Sequence, residues 1–333
     1  MNSFGQIFRL TTFGESHGPA IGGVVDGMPS GTPVDVAAIQ AMLDRRRPGQ
    51  SDNVTRRRES DKVTLLSGVF EGVATGAPIG FTIANTDMRS ADYEAIRHAF
   101  RPGHADYTYT AKYGLRDYRG GGRASGRETA ARVVGGALAM MMLKPRGISI
   151  TARALQVGGV DLAPGEDYSA ILAEARSQGD TVGAVIGCTV SGLPVGLGEP
   201  VFDKLQARLA AAMMSIPAAK GFDYGMGFAG AAMRGSEVVD VFAPDGRGGV
   251  TTLSNHSGGI QGGISNGQDV YMRVAFKPIA TMMRPVETVD DRGCPITLHL
   301  RGRHDVSVAP RVIPVVEAMA ALVIADAVLL ARL

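Results

Sequence analysis

The chain has 333 residues, of which 45% are hydrophobic and 20% charged, and its formal net charge is +2 at pH 7. This length fits one large domain or two ordinary ones, and the composition excludes an intrinsically disordered chain. Glycine is in excess at 45 residues but lacks the Gly-X-Y period of collagen, and the absence of Trp argues against an aromatic platform for single-stranded nucleic acid.

The cysteines and the apolar segments indicate a soluble protein of a reducing compartment. Cys188 and Cys294 form no CxxC or Cys/His cluster, so we expect neither a disulfide scaffold nor a structural zinc site. The N-terminal segment contains no apolar signal-peptide core. The most apolar stretch, 312–331, includes Glu317 and Asp326, which are costly in a bilayer, and is therefore predicted to be a buried core helix. We expect a cytoplasmic protein without a membrane partner.

Predicted strands outnumber predicted helices and often come in adjacent pairs. Strand patterns occupy 5–13, 19–25, 62–70, 79–84, 148–157, 182–190, 236–242, 269–276 and 296–301. Helical patterns occupy 36–46 after the N-cap Asp35, 126–143, 204–214 after Asp203, and 311–331. Adjacent strand pairs favour an α+β fold with antiparallel sheets and packed helices. No GxGxxG follows a strand into a helix, so a dinucleotide-binding Rossmann unit is not supported.

Two segments half a chain apart share one pattern. Both VVDGMPSGTPVD (24–35) and TVSGLPVGLGEPVFD (189–203) are predicted to form a strand, a glycine-rich turn and a helix start. A duplicated half would explain this, and so would coincidence of turn chemistry. Because no Pro/Ser-rich linker separates the halves, we expect a single domain over 1–333.

Positive charge is concentrated in two windows. Residues 44–59 hold six arginines against three acids, and 97–132 hold eight basic residues against three acids. Such patches on a nearly neutral chain suit a compact anionic ligand better than a long polyanion, although a solvated arginine face would look the same.

The segment GGGRASGRE (120–128) is the clearest candidate for an anion site. Ser125 and Glu128 have the spacing of a capping box, which predicts a helix N-terminus at Ser125. Free N–H groups at a helix start, together with Arg123 and Arg127, favour an anion. An ordinary capped helix with surface arginines is the alternative.

Three short motifs carry groups suited to proton transfer. His17 lies in GESHG, His104 in RPGHADYTY, and Asp305 in RHDVSVAPR. Loop histidines without a nearby Cys or third His favour proton chemistry over metal ligation, so no metal is expected. The glycine-rich segment 255–267 is too long for a simple turn and is predicted to be either a ligand-closing loop or a surface excursion.

Several long blocks, in this order, resemble the chorismate synthase family over the whole chain. They are GESHG (14–18), RPGHADYTYTAKYGLRDYRGGGRASGRETAAR (101–132), SNHSGGIQGGISNGQ (254–268) and RHDVSVAPRVIPVVEAM (303–319). The resemblance implies a lyase of the shikimate pathway of aromatic amino acid biosynthesis. Its reaction is the 1,4-anti elimination of phosphate from 5-enolpyruvylshikimate 3-phosphate, which gives chorismate, with reduced FMN required but not consumed. It also implies a β–α–β sandwich with an internal pseudo-twofold repeat, assembled as a homotetramer.

The resemblance also implies roles for individual residues. His17 corresponds to the histidine that protonates the leaving phosphate, His104 to the one that protonates the reduced flavin, and Asp305 to the carboxylate that helps remove the C6 proton. The matching substrate positions are Ser16, Arg46, Arg101, Ser125, Arg127 and Arg303. The matching flavin positions are Arg123, Ala124, Ser125, Ala218, Gly262, Lys277, Pro278, Ile279, Ala280, Thr281 and Arg303.

Four positions depart from the family pattern. Asp52 stands where a basic residue is frequent, Ile279 and Ala280 stand where small hydroxyl residues are frequent, and Gly126 replaces a frequent alanine. Either the neighbouring arginines at 56–58 compensate for Asp52, or this loop contacts only solvent. Flavin contacts along 277–281 would then come from backbone groups and Thr281.

Two other functions fit parts of the sequence. A net flavin oxidoreductase acting on a phosphorylated anionic substrate would use the same basic, glycine-rich site. A nucleic-acid-binding module is disfavoured by the near-neutral charge and the lack of a recognisable motif. The sequence does not decide whether the protein reduces its own flavin with NADPH, but without a dinucleotide fingerprint an external flavin reductase is the expected partner.

Overall fold

The structure is a computed structural model, and it describes residues 1–47, 59–86, 93–94, 96–246, 248–299 and 305–331. The predicted contributions of Asp52, of the arginines at 56–58 and of Arg303 lie outside these residues.

The described chain alternates short strands with six α-helices. The helices are α1 (Val36–Arg46), α2 (Asp106–Tyr113), α3 (Thr129–Leu143), α4 (Ser169–Ser177), α5 (Leu205–Met214) and α6 (Ala309–Leu330). The strands of the first half are β1 (Ser3–Phe4), β2 (Arg9–Gly14), β3 (Ala20–Asp26), β4 (Val63–Leu65), β5 (Val69–Phe70), β6 (Val73–Ala74) and β7 (Ile79–Ala84). Those of the second half are β8 (Ser149–Val157), β9 (Val160–Asp161), β10 (Ala184–Ser191), β11 (Val195–Gly198), β12 (Ala219–Tyr224), β13 (Phe242–Pro244), β14 (Val250–Thr252), β15 (Ile260–Gln261), β16 (Ile264–Asn266), β17 (Val270–Phe276), β18 (Pro285–Val289) and β19 (Pro295–His299).

Two five-stranded antiparallel sheets form the framework. Their strand orders are β1-β2-β3-β7-β4 and β12-β17-β10-β8-β9. In β10, every second residue from Ala184 to Val190 is buried, as expected for a strand with one face on the core. The predicted mixture of antiparallel sheets and packed helices is confirmed.

The helices α3 and α6 lie between the two sheets. The helix α3 contacts β2 and β3, α6 contacts β8 and β10, and the two helices pack against each other. Their backbones approach closely where Gly136 faces Ala318, since a Cβ at Gly136 would overlap Ala318. One continuous hydrophobic core therefore joins elements of both halves of the chain.

The helix α6 is the predicted core helix. Its length and apolar composition would suffice to cross a membrane, but 89% of its most apolar window is buried inside the protein. Its two carboxylates are used internally. Asp326 accepts hydrogen bonds from the backbone N–H groups of Gln6, Ile7 and Phe8, while Glu317 accepts both arms of Arg45 at 2.7 and 2.9 Å. These partners offset the cost of burying the charges.

Some local predictions are wrong. Residues 236–242 were expected to form a strand, but the chain makes a 3₁₀ turn at Gly235–Glu237, and only Phe242 joins β13. The helices α2 and α4 were not predicted. Asp203 does not cap α5, because its backbone has a φ of +56° and the helix begins after Lys204 without a side-chain cap.

The segment 255–267 was expected to be a closing loop or a surface excursion. It contains the hairpin β15–β16, which pairs with β11 in a three-stranded sheet. The carboxylate of Asp240 accepts the backbone N–H groups of His256 and Ser257, both at 2.8 Å. A segment held by these bonds is part of the folded framework and not a surface excursion, so that expectation is wrong, while a role as a ligand-closing loop stays a prediction.

Candidate functional site

A cavity of about 480 Å³ opens where the starts of α2, α3 and α6 meet the segments that follow α5 and β17. Its volume is in the range of small-molecule sites. The predicted site residues that line it are Arg46, Arg101, His104, Ala124, Ser125, Arg127, Ala218, Lys277, Pro278, Ile279, Ala280, Thr281 and Asp305. Residues from six separate segments therefore converge on one cavity.

Charged and apolar groups share the lining. The cations are Arg46, Arg101, Arg127, Lys277 and Arg311, and the carboxylates are Glu59 and Asp305. Apolar surface comes from Ile216, Pro217, Ala218, Pro278, Ile279, Val308, Val312 and Val315. An excess of cations beside apolar surface suits a ligand that is partly anionic and partly a flat hydrophobic ring.

Two of the lining arginines share one buried carboxylate. Arg46 and Arg127 are 1% and 4% exposed, and both bind Asp61, which is fully buried. Arg46 Nη1 lies 3.0 Å from Asp61 Oδ2, and Arg127 Nη1 donates to Asp61 Oδ1. The remaining donors are also held, since Arg46 Nη2 binds the carbonyl of Gly126 at 2.7 Å and Arg127 Nε binds Asn85 at 2.9 Å.

Burial and neighbouring charges set the protonation of this cluster. Burial, assisted by the nearby Arg311 and Arg127 guanidinium groups and opposed by Asp61, lowers the pKa of Arg46 to about 9. Burial alone would raise the pKa of Asp61, but Arg46 and Arg127 outweigh it and hold that pKa below its usual value. At neutral pH the cluster therefore carries two positive charges and one negative charge.

A second carboxylate orients the groups around His104. Asp106 accepts Arg101 in a two-armed interaction, Nε to Oδ2 and Nη2 to Oδ1, each at 2.8 Å. His104 Nδ1 lies 3.0 Å from Asp106 Oδ1 and 3.1 Å from Arg101 Nη2. His104 thus lines the cavity, and its Nδ1 atom is held by Asp106 and Arg101.

The start of α6 brings Asp305 beside Arg311. Arg311 Nη1 donates to Asp305 Oδ2, and Arg311 Nε donates to the backbone carbonyl of Arg46 at 3.2 Å. Both side chains line the cavity. The ion pair places a carboxylate next to the cationic cluster.

Comparisons with known proteins all point to one family. The family model described as chorismate synthase matches residues 8–329. The chain is 53% identical to the chorismate synthases of Phocaeicola vulgatus and Bacteroides thetaiotaomicron, over 99% of this chain and 98% of each relative. A crystal structure of a chorismate synthase matches with a TM-score of 0.77 at 29% identity, over 98% of this chain and 93% of that one.

The chain belongs to the chorismate synthase family. It is a lyase that forms chorismate, and the shikimate pathway of aromatic biosynthesis is its metabolic context.

The family histidine His17 lies behind the cavity wall. It is 7% exposed and contacts the Tyr93 ring edge-on with a centroid distance of 4.9 Å. Gly120, which lines the cavity, packs so closely over it that a Cβ there would overlap His17 Nδ1 and crowd Ser16 Oγ. Both predicted residues of GESHG therefore lie next to the cavity, separated from it by a glycine backbone.

Other predicted residues are not brought to the cavity. Arg123 turns away, because its guanidinium donates to the carbonyls of Gly14 and Thr12 and to the Thr12 hydroxyl. Gly262 belongs to the turn of the β15–β16 hairpin and is not among the residues that line the cavity within this chain.

The predicted helix start at Ser125 is confirmed, but the predicted capping box between Ser125 and Glu128 does not form. Ser125 Oγ accepts the Arg127 backbone N–H at 3.3 Å, and a 3₁₀ turn at Gly126–Glu128 leads into α3. Glu128 instead accepts the Thr12 hydroxyl at 3.1 Å and Arg132 Nε at 2.9 Å. Tertiary partners therefore replace the local bond that the spacing predicted.

Three residues that organise the site were missed from the sequence. Asp61, Asp106 and Arg311 each pair with a predicted site residue. Asp106 and Arg311 carried a signal, because both stand inside the quoted blocks at two and six residues from His104 and Asp305. Asp61 had none, since its partners Arg46 and Arg127 are 15 and 66 residues away.

Proposed function

We propose that this cavity binds 5-enolpyruvylshikimate 3-phosphate together with reduced FMN and carries out the 1,4-anti elimination of phosphate. The observation that carries the proposal is the convergence of Arg46, Arg101, Arg127, Lys277 and Arg311 on one cavity that also holds His104 and Asp305. The substrate bears two carboxylates and a phosphate, so it needs several cations in a site sheltered from water.

The arginines suit orientation as well as charge. Arg101 and Arg127 are held by Asp106 and Asp61, so their guanidinium planes are fixed before a ligand arrives. A fixed guanidinium fork determines the direction from which a carboxylate or phosphate is bound. An anti elimination requires such control, because the breaking C–O and C–H bonds must lie on opposite faces of the ring.

The residues present fit a flavin. The segment Lys277–Thr281 supplies a cation for a phosphate tail, and Ile279, Ala218 and Val312 supply apolar surface for a ring system. Reduced FMN, when bound, supplies the electron density that assists removal of the unactivated C6 hydrogen. Backbone groups and Thr281 would bind FMN where Ile279 and Ala280 replace hydroxyl residues.

Three side chains, His17, His104 and Asp305, would transfer the protons of the reaction. We assign to His17, which lies next to the cavity behind the backbone of Gly120, the proton given to the leaving phosphate. His104 would hold the proton near the reduced flavin. Asp305, which is paired with Arg311, would be the proton acceptor for the C6 hydrogen. Ser16 and Ser125 would bind substrate oxygens, and Arg303 would add a further cation.

We also propose how the protein assembles. Residues 1–333 would form one domain whose halves are related by an internal pseudo-twofold repeat, and the continuous core supports a single unit. A cytoplasmic homotetramer would cover apolar side chains that are strongly exposed in one chain, such as Phe202 (86%), Phe228 (82%) and Leu253 (73%). An external reductase would supply the reduced flavin, with NADPH as the electron source.

Anaerobic phosphate release tests the function. The protein is mixed with 5-enolpyruvylshikimate 3-phosphate and photoreduced FMN, with oxidised FMN as the control, while flavin absorbance and phosphate are followed together. We expect many phosphates per flavin with the flavin still reduced at the end. One flavin oxidised per phosphate released would establish a net oxidoreductase and overturn the elimination.

A further inference from the structure

The carboxylate of Asp106 lies at the centre of a buried network behind the cavity wall. It is 3% exposed and stands at the first position of α2. Its Oδ1 receives Arg101 Nη2 at 2.8 Å and lies 3.0 Å from His104 Nδ1 and 3.2 Å from Arg116 Nη1. Its Oδ2 receives Arg101 through both Nε at 2.8 Å and the backbone N–H at 3.1 Å.

The ionisation of Asp106 decides where the hydrogen shared with His104 resides. Burial would raise the pKa of Asp106, but the hydrogen bonds from Arg101 and His104 outweigh it and hold that pKa far below its usual value. An ionised carboxylate only accepts hydrogen bonds. Two contacts compete at Nδ1, because Arg101 Nη2 can only donate and the ionised Asp106 can only accept. Since Arg101 Nη2 already donates to Asp106 Oδ1 at 2.8 Å, the contact of Nδ1 with the carboxylate favours a hydrogen on Nδ1 of His104, which leaves Nε2 as the atom that can exchange a proton.

A glycine backbone packs against the edge of the ring that carries Nε2. Gly121 has a φ of +82°, and a Cβ there would lie 2.9 Å from His104 Cε1 and 3.3 Å from Nε2. The ring is therefore confined between Asp106 and the Gly121 backbone.

Arg116 anchors the network from outside the cavity. Its Nη2 donates to the carbonyls of Ile96, Arg97 and Ala99 at 3.0, 3.1 and 2.7 Å. The charged groups around His104 are thus Arg101, Asp106 and Arg116, together with Lys277, which binds the carbonyl of Gly103. The carboxylate cannot move without breaking several of these bonds.

We propose that Asp106 is a positioning residue that holds His104 in its Nδ1–H form, with Nε2 as the proton-transfer atom, and fixes the Arg101 fork beside it. The proposal rests on the proposed role of His104. A purely structural role for Asp106 predicts a loss of stability but no dependence on His104.

The tautomer of His104 is the direct test, and it needs neither flavin nor substrate. The full-length protein is labelled with ¹⁵N at its six histidines, and the His104 signals are assigned by their absence in His104→Ala. Above the histidine titration we expect the wild-type His104 to carry hydrogen on Nδ1. Asp106→Asn keeps the size of the side chain but can donate its amide hydrogen to Nδ1, so we expect a shift toward the Nε2–H form.

Kinetics supply the second readout. At saturating reduced FMN, Asp106→Asn should lower kcat by about 10²-fold, because an imidazole with its hydrogen on the wrong nitrogen cannot act as the general acid or base. If Asp106 acts through His104, its substitution should lower kcat much less in a His104→Ala background, where only its effect on the Arg101 fork remains. Asp291→Asn is the matched control, since Asp291 pairs with His98 Nδ1 at 2.7 Å on an exposed surface, and it should leave kcat unchanged.

The outcomes separate this proposal from the proposed function. A wild-type His104 whose Nδ1 lacks hydrogen would overturn the proposal, and this spectrum decides the matter even if Asp106→Asn does not fold. An equal loss of kcat on Asp106→Asn with and without His104 would also overturn it. If His104→Ala has the wild-type kcat, His104 takes no part in the proposed function. The tautomer measurement alone then decides whether Asp106 positions His104.

Discussion

Replacing Asp61 by asparagine should destabilise the protein strongly. Asp61 is fully buried and neutralises part of the charge on Arg46 and Arg127, which line the cavity but are only 1% and 4% exposed. Asparagine keeps the volume but leaves two buried guanidinium groups without a counter-ion. Breaking a buried ion pair from one side costs about 3–5 kcal/mol.

The expected change in melting temperature follows from the chain length. An unfolding entropy of about 2.1 cal/mol/K per residue amounts to ~0.7 kcal/mol/K for 333 residues. The loss of free energy then lowers the melting temperature by about 4–7 °C. Calorimetry at pH 7 and fixed protein concentration measures it. Glu287→Gln, which alters an exposed carboxylate bound by Thr297 in the β18–β19 hairpin, is the control and should change stability by less than about 0.5 kcal/mol.

The pH dependence identifies the cause. Because the folded-state pKa of Asp61 lies below the unfolded value of about 3.9, its contribution is present above that pH and is lost as the pH falls through the folded value. The difference in melting temperature between wild type and Asp61→Asn should therefore shrink below about pH 4. A variant that melts within 1 °C of wild type at pH 7, or a difference that stays constant on acidification, would refute the reasoning.

Three further substitutions test the proposed site. His17→Ala should lower phosphate release by about 10²-fold or more while keeping the fold, and near-normal turnover with saturating reduced FMN would remove His17 from the mechanism. Arg127→Ala should weaken substrate binding by ~10–100-fold. Arg127→Lys should restore only part of the affinity, because lysine cannot bind an anion through two parallel N–H groups. Unchanged substrate affinities in titration calorimetry would show that the anion pocket is misplaced. Asp305→Asn should bind FMN and substrate but release phosphate ~10²–10⁴-fold more slowly in anaerobic stopped-flow, and a wild-type rate would exclude Asp305 from proton transfer.

Much of the site could be predicted because long motifs identify individual residues. His104 and Asp305 were assigned from short blocks, and both line the cavity. What those blocks cannot specify is which partner holds each residue. Arg123 lies in a block that predicts a flavin contact, but its guanidinium donates to the carbonyls of Thr12 and Gly14, more than a hundred residues earlier in the chain.

The sequence by itself determined the elements that depend on near neighbours. Asp35 was predicted to cap α1, and its carboxylate accepts the N–H groups of Ala37 and Ala38. The alternation in 182–190 and the apolar run in 312–331 likewise became β10 and the buried part of α6. Capping and burial periodicity are local properties, since they arise from bonds and side-chain directions within a few residues.

Only the tertiary structure decided how the buried charges are paired. Glu128 has the spacing of a capping partner but binds Thr12 and Arg132, and Asp326 binds backbone groups more than 300 residues away. Asp61 joins Arg46 and Arg127 only because α1, α3 and the chain before β4 pack together. A buried charge must find a partner wherever the fold places one, because leaving it unpaired in the core costs more than any single local hydrogen bond provides.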